Sequence, residues 1–173
     1  MRHSGCHRAA VWLAGVLLGA SLAAACDRTH RDFHDTLDTP EAVARAVLDG
    51  IARSDRPGLE RLAVTEEEFR TRVWPELPVS RPERNVPWDY VWGDLHQKSR
   101  GTLSSVLTQH GGRRYELLGV EYHGAFTRYS SFEVRRDPAL RVRLSAGEIT
   151  TIRLFGSMLV TKDGCKLLSY VVD

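Results

Sequence analysis

The amino-acid sequence predicts an α+β fold, with helices in the first part of the domain and an antiparallel sheet after them. Between residues 39 and 110, apolar side chains recur every three or four positions, which is the period of an amphipathic helix. From residue 114 onward the period changes to two, which is typical of strands with one buried face. Short turns separate these strands, so we expect neighbours in sequence to pair as a meander.

The first 25 residues predict a cleaved export signal. A basic start containing Arg2 and Arg8 precedes the stretch Ala9 to Ala25, which carries no charged side chain. A membrane-spanning helix needs about 20 predominantly apolar residues. This stretch is shorter and ends in small side chains, as the substrate of a signal peptidase does.

The cleavage point predicts a lipid anchor on Cys26. Leu22, three alanines and Cys26 resemble the lipobox of bacterial lipoproteins, in which the cysteine is acylated and becomes the new N-terminus. The usual leucine three places before the cysteine is replaced by Ala23. The resemblance implies a location in the bacterial cell envelope, facing the periplasm or the cell exterior, with membrane lipid as a partner. Two alternatives stay open: a secreted protein cleaved after Ala25, which also fits an A-x-A rule, and an uncleaved anchor.

The cysteine count agrees with the lipoprotein interpretation. Cys6 leaves with the signal and Cys26 is acylated, so Cys165 is left alone in the domain and no internal disulfide is expected. In a merely secreted chain, Cys26 and Cys165 would be free to pair. We expect Cys165 to act as a small apolar residue next to a turn.

The charge of the mature chain argues against a nucleic-acid partner. The full sequence has 24 Lys and Arg against 22 Asp and Glu, and removing Arg2 and Arg8 leaves equal numbers of each sign. The second half is mildly basic. Its arginines fit either a solvated sheet face or an anion-attracting face near lipid headgroups; they are Arg128, Arg135, Arg136, Arg141, Arg143 and Arg153.

The mature chain divides into a tether, residues 26–38, and one domain, residues 39–173. The tether is polar and is expected to be mobile. His30 and His34 have a spacing that places two imidazoles on one helix face, but Arg31 stands where a zinc protease has its glutamate. We therefore predict neither a metal nor a cofactor.

Three helices and one short helical turn are predicted before the sheet, the last helix being the long one described below. The first begins at Asp38 or Thr39 and buries apolar residues at helical spacing, namely Val43, Ala46, Val47 and Ile51. A short turn with Leu59 and Leu62 follows. Thr65 and Glu68 then form a capping box, with Val64 and Phe69 placed as a hydrophobic staple, and this helix is expected to end at Trp74.

A proline-rich loop and a long helix complete the first half. Four of the seven prolines lie between Pro75 and Pro87, which predicts an ordered loop. The helix from about Trp88 to His110 should end at Gly111. Its expected inner face is Trp88, Val91, Trp92, Leu95, Leu103, Val106 and Leu107.

The second half predicts a sheet of about four to five strands. The expected strands are Tyr115 to His123, Tyr129 to Arg135, a strand through Leu140, Val142 and Leu144, Ile149 to Thr161, and Lys166 to Val172. Gly156 should mark a bulge or bend in the long fourth strand. Asp163 and Gly164 predict a tight hairpin before the last strand.

Three helical segments before a curved antiparallel sheet resemble the cone-shaped NTF2-like superfamily, also called SnoaL-like or cystatin-like. The likeness covers about residues 39–173 and is strongest at residues 152–157 and 168–171. An early strand common in such folds is replaced here by the proline-rich loop. The resemblance implies a ligand in the mouth of the cone, and it is compatible with isomerases, dehydratases and non-catalytic binding modules.

These observations favour a non-catalytic lipoprotein domain that binds a small apolar ligand, an envelope component or a partner protein. The alternative is a small acid/base isomerase or dehydratase, which needs a carboxylate and a His or Tyr to converge in the cone. No catalytic residue is identified: Asp94 and His96 point apart on a helix, and Asp94 is placed to pair with Lys98. The candidate pocket-lining residues are Trp88, Trp92, Tyr122, Tyr129, Arg153 and Tyr170.

The sheet also raises a third hypothesis, a purely structural partner in an envelope complex that dimerises through its sheet. The alternation of Leu140, Val142 and Leu144 with Arg141 and Arg143 predicts one wet face. We therefore expect a monomer or a weak homodimer.

Overall fold

The computed structural model describes residues 33–172 and confirms the α+β class. Four α-helices come first, at Pro40–Ala52 (α1), Arg56–Arg61 (α2), Glu66–Glu68 (α3) and Trp88–His110 (α4). Seven strands follow, at Tyr115–Tyr122 (β1), Phe126–Arg128 (β2), Glu133–Arg136 (β3), Pro138–Leu144 (β4), Ile149–Ile152 (β5), Ser157–Thr161 (β6) and Gly164–Ser169 (β7).

The strands form two antiparallel sheets where the sequence predicts one. The three-stranded sheet has the order β1-β4-β5, and the four-stranded sheet has the order β2-β3-β6-β7. Within the described residues there are thus seven strands and not four or five. Three long extended stretches of the chain each bend where they pass one corner of the domain. Each stretch is therefore divided into two strands, one in each sheet.

The corner lies at residues 123–125, 137 and 153–156. Across it, the N–H of His123 donates to the carbonyl of Asp137 (3.1 Å), and the N–H of Asp137 donates to the carbonyl of Gly156 (2.8 Å). Asp137 has a left-handed backbone, with φ of 52°. The predicted bend at Gly156 is therefore present, but it separates β5 from β6 and places them in different sheets.

One predicted strand is wrong in its position. The chain from Tyr129 to Arg135 was expected to be continuous, but residues 129–132 form the turn between β2 and β3. The carboxylate of Glu76 accepts hydrogen bonds from the backbone N–H groups of Ser130 and Ser131. These two N–H groups are therefore satisfied by a carboxylate that is distant in sequence and not by a neighbouring strand.

Helix α1 forms for the local reasons that the sequence suggests. The Thr39 hydroxyl accepts from the N–H of Ala42 at 3.1 Å, and Pro40 occupies the first turn. Val43, Val47 and Ile51 are buried as expected, whereas Ala46 is half-buried.

The capping box at α3 is present in both directions. The Thr65 hydroxyl accepts from the N–H of Glu68, and the Glu68 carboxylate accepts from the N–H of Thr65. The expected regular helix to Trp74 is not formed. Residues 69–73 instead make a widened π-turn, and a 3-10 turn at Trp74–Glu76 follows, which contains Pro75. This path leaves both Phe69 and Val73 buried.

Helix α4 spans the predicted range, and the Gly111 N–H closes it on the Leu107 carbonyl at 2.9 Å. Before it, the proline-rich loop is a series of 3-10 turns. The first half of α4 contributes to an aromatic cluster, and the second half packs on the main core between α1 and the strands β4 and β7. The aromatic cluster is built on Phe33, Val64, Phe69, Val73, Phe132, Val134 and Leu159.

The predicted tether boundary at residue 38 is too late. Phe33 is only 2% exposed within the aromatic cluster. Leu37 and Cys165 exchange two backbone hydrogen bonds, of 2.9 and 2.6 Å, so the segment 33–37 covers part of the outer edge of β7. The rest of the predicted tether, including Cys26 and His30, lies outside the described residues, as does the predicted signal segment.

Cys165 is buried in the main core, where desolvation raises the pKa of its thiol. A protonated, enclosed thiol matches the expected small apolar residue.

On the outer face of the three-stranded sheet, Arg141 and Thr151 are exposed and paired in register, with Arg143 beside Glu116. This arrangement agrees with the predicted wet face.

Candidate functional site

A cleft of about 370 Å³ lies between α4 and the segment that joins α2 to α3, with the end of β7 beneath it. This volume is near the lower end of the range of small-molecule sites, about 300–1,000 Å³. The lining comprises Glu60, Ala63, Val64, Thr65, Glu66, Trp92, Leu95, His96, Ser99, Arg100, Leu103, Leu168 and Tyr170.

The floor of the cleft is apolar and uncharged. It is formed by Leu103, Leu168 and Tyr170. The Tyr170 hydroxyl donates to the Leu59 carbonyl at 2.7 Å, and the Tyr170 N–H donates to the Ser99 hydroxyl at 3.0 Å. Burial raises the pKa of Tyr170, so the phenol stays neutral. Because these donors are already satisfied, an apolar group can cover the floor without breaking a hydrogen bond.

One wall of the cleft is a stacked pair of rings on α4. The rings of Trp92 and His96 are 5.2 Å apart and nearly parallel, at 9°. On its other side Trp92 lies 5.3 Å from the ring of Phe69 in the aromatic cluster. The indole is therefore fixed by contacts with two other rings, and the stacked pair gives the cleft a preformed wall.

The opposite wall is held by a buried ion pair. Glu68 and Lys166 are 3% and 1% exposed, and the Lys166 ammonium lies 3.0 Å from both carboxylate oxygens of Glu68. The same ammonium donates to the His34 carbonyl at 2.8 Å, and the His34 N–H donates to Glu68 at 2.7 Å. The pair thus joins the N-terminal segment, the start of α3 at Thr65 and strand β7.

Charged side chains lie around the mouth of the cleft. Glu60 and Glu66 come from one wall, and His96 and Arg100 from α4. Glu60 is 3.6 Å from Arg56, with which it forms a solvent-exposed ion pair. All four are exposed, so their effect on a ligand is screened by solvent.

Two of the six predicted pocket residues, Trp92 and Tyr170, line this cleft. Trp88, one turn before Trp92, instead packs in the aromatic cluster under the guanidinium of Arg70, 5.7 Å from its ring. Tyr129 packs on Phe132 at 4.7 Å in the same cluster. Both are half-buried residues packed against that cluster, outside the cleft.

Tyr122 and Arg153 also lie away from the cleft. The Tyr122 hydroxyl is 3.3 Å from the sulfur of Met158, and burial raises the pKa of Tyr122 to about 12. Arg153 is half exposed and lies 3.3 Å from Asp137 at the corner. The corner thus does not turn Arg153 inward.

Several of the candidate acid/base side chains have other partners in the structure. Asp94 pairs with Lys98 at 2.8 Å, as its spacing predicts. Between residues 33 and 172, no hydrogen bond joins a histidine side chain to a carboxylate, and His110 contacts the Tyr115 hydroxyl at 2.7 Å. In the same range no group of three or more potential ligands is placed to hold a metal ion.

Sequence reasoning missed most of the cleft. Ser99 carries no motif, Leu168 was noted only within the stretch 168–171 that resembles the NTF2-like superfamily, and Lys166 looks like an ordinary strand residue. The capping box at Thr65 and Glu68 was the one signal pointing to this wall, because it fixes where the chain enters α3.

Comparison of the chain with protein-family models, with curated proteins and with solved structures gave no match. Among the described residues, none of the helices combines the length and the apolar character needed to cross a bilayer.

Proposed function

We propose that this domain is a non-catalytic binding module that holds a small apolar ligand in the cleft between α4 and β7. The observation that carries the proposal is the floor, where the polar atoms of Tyr170 are already hydrogen-bonded beside Leu103 and Leu168. Covering such a surface removes apolar area from water at no cost in broken hydrogen bonds. The stacked pair Trp92 and His96 supports it by supplying a rigid wall.

The acid/base alternative has less support. It requires a carboxylate within reach of a His or Tyr at the ligand. At the cleft, His96 is stacked on Trp92 and Tyr170 donates to a backbone carbonyl. We therefore place the enzyme hypothesis second.

We also propose an NTF2-like architecture for the domain. Its support is the order of the elements. Helices come first, and the antiparallel strands that follow bend at a common corner. The long connection that replaces the early strand of that superfamily consists of 3-10 turns.

The module is proposed to be anchored in the cell envelope through a lipid on Cys26. Only residues 27–32 separate Cys26 from the buried Phe33. At a maximum of about 3.5 Å per residue, this length holds Phe33 within about 25 Å of the acylated cysteine. Such a module would sample ligands at the membrane surface.

The cleft is tested by a matched pair of tryptophan variants. Trp88 and Trp92 are both half-buried on α4 and both pack in the aromatic cluster, but only Trp92 lines the cleft. We expect Trp92→Ala to weaken binding of the neutral fluorescent probe N-phenyl-1-naphthylamine about ten-fold, because it removes an aromatic contact surface. Trp88→Ala should leave probe affinity within about two-fold, although packing losses of this kind lower stability.

Saturable binding that responds equally to both variants would place the probe elsewhere and contradict the proposal. Affinity is measured by titration well below the unfolding midpoint of each variant. Circular dichroism confirms that both remain folded.

The anchor is tested with Cys26→Ala. We expect the wild-type protein, isolated from its native membrane, to lack residues 1–25, to carry acyl mass and to enter the detergent phase. The variant should stay in the aqueous phase, since acyl chains provide the membrane affinity. An unmodified thiol, or Cys26 bridged to Cys165, would show that the chain is not a lipoprotein.

A further inference from the structure

A second depression, on the outer side of α4, joins the cleft. It is lined by Arg56, Gly93, His96, Gln97, Arg100, Gly101 and Ser104. His96 and Arg100 line both this groove and the cleft, so the two adjoin along one turn of the helix. A ligand in the cleft can therefore extend past these two side chains.

Two glycines keep the groove open. A Cβ added at Gly93 or at Gly101 would have no neighbouring atom within 4 Å. Glycine inside a helix costs about 1 kcal/mol relative to alanine, so its two occurrences here reduce helix stability without relieving any packing conflict. Their effect is to leave free space beside His96 and Arg100.

The groove has an arginine on each margin, but the one on α2 already has partners within the described residues. Arg56 contributes from α2, where it donates to the Ser104 hydroxyl at 2.8 Å and lies 3.6 Å from Glu60. The Arg100 guanidinium forms neither an ion pair nor a hydrogen bond with any residue in the range 33–172. It is available to a ligand, and the His96 ring edge lies one turn before it.

We propose that the ligand is a single-chain amphipathic anion, with its chain in the cleft and its carboxylate or phosphate head at His96 and Arg100. This inference rests on the proposed function, which supplies the site for the apolar chain. The head lies over Gly101, where there is room for it, and Arg100 provides charge-assisted hydrogen bonds. The small cleft volume fits one chain and not the two chains of a diacyl lipid.

A cationic head is the competing chemistry, because Glu60 and Glu66 face the same mouth. Glu60 is already paired with Arg56, which leaves Glu66 alone on that wall. The groove that extends the cleft contains no acidic side chain. Charge and space together therefore favour the anion.

The test uses four ligands with one chain length: dodecanoate, dodecyl phosphate, dodecanol and dodecyltrimethylammonium, each below its micelle concentration. Isothermal titration with the wild-type domain should rank both anions above the alcohol and the alcohol above the cation. A preference for dodecyl phosphate over dodecanoate would indicate a phospholipid-derived ligand, and a preference for dodecanoate would indicate a free fatty acid. Both results support the proposal.

Two pairs of variants locate the head group. Arg100→Gln should weaken anion binding about three- to ten-fold and leave dodecanol unchanged, as expected for one partly screened charge-assisted contact. Arg113→Gln, which changes an exposed arginine outside the cleft and groove, is the control. Gly101→Glu should weaken anion binding relative to Gly101→Gln, which fills the same space without charge.

The outcomes separate this inference from the function on which it rests. If dodecanol binds but the anions bind no better, or Arg100→Gln has no effect, the anionic head is wrong and the binding function stands. If the cation binds best, Glu66 and not Arg100 selects the ligand. If none of the four ligands binds, both the inference and the proposed function are overturned.

Discussion

Gly156→Ala is expected to destabilise the domain by more than about 4 kcal/mol. This is a large fraction of a typical free energy of unfolding, which is about 5–15 kcal/mol. The new Cβ would overlap the carbonyl oxygen of Val171 and lie 2.5 Å from its carbonyl carbon. These are backbone atoms, so no side-chain rotation relieves the clash. Gly156 also accepts the hydrogen bond from Asp137 that links the two sheets, which makes local adjustment costly.

Urea unfolding followed by tryptophan fluorescence measures this effect. Gly119→Ala is the matched strand control, because nothing lies within 4 Å of its added Cβ, and it should change stability by less than about 1 kcal/mol. Removing residues 171–173 deletes the clashing carbonyl and should reduce the penalty of Gly156→Ala. An unchanged midpoint for Gly156→Ala would contradict the close approach of the Val171 backbone to Gly156.

Lys166→Met should cost about 3–5 kcal/mol, because it leaves the buried carboxylate of Glu68 without its counter-charge. The double variant Glu68→Gln with Lys166→Met should be more stable than Lys166→Met alone, since no uncompensated charge then remains buried. Lys162→Met, on the exposed turn before β7, is the control and should stay within about 0.5 kcal/mol. Additive effects of the two single changes would argue against a coupled pair.

The same pair predicts a pH dependence. Burial alone would raise the pKa of Glu68, but hydrogen bonds from Thr65, His34 and Lys166 outweigh it, and the pKa is held below its ordinary value of 4.5. The Glu68 carboxylate therefore stabilises the fold above about pH 4.5, and this contribution is lost as the pH falls through the lower pKa of the folded state. Between pH 7 and pH 3, the wild type should lose more stability than Glu68→Gln does.

Local signals predicted the starts of α1 and α3 and the end of α4. Thr39 with Pro40, the Thr65–Glu68 box and Gly111 each act within a few residues, and each appears in the structure at its predicted place. The period of two likewise located β1, β4 and the last hairpin. These features depend on hydrogen bonds and apolar spacing inside one element, which a single sequence contains.

Features that depend on distant parts of the chain were not predictable. The turn at residues 129–132 is held by Glu76, more than fifty positions away. The division into two sheets depends on the hydrogen bond at the corner between the N–H of Asp137 and the carbonyl of Gly156. The burial of Lys166 depends on His34 and Glu68, which no strand pattern reveals.

The candidate site was predictable only in part for the same reason. Trp92 and Tyr170 were selected because aromatic residues often line pockets, and that argument applied equally to Trp88 and Tyr129, which pack against the aromatic cluster outside the cleft. Trp88 and Trp92 lie one turn apart on α4. Which of them lines the cleft depends on the π-turn that places Phe69 against Trp92.

The central claim, that the cleft holds an apolar ligand, is tested most directly by mapping amide chemical shifts of ¹⁵N-labelled domain during titration with dodecanol. We expect the shifts to concentrate at Thr65, Ser99 and Tyr170 and to saturate together with one dissociation constant. Shifts confined to the exposed aromatic side of β2, around Phe126, or the absence of any saturable shift, would contradict the account.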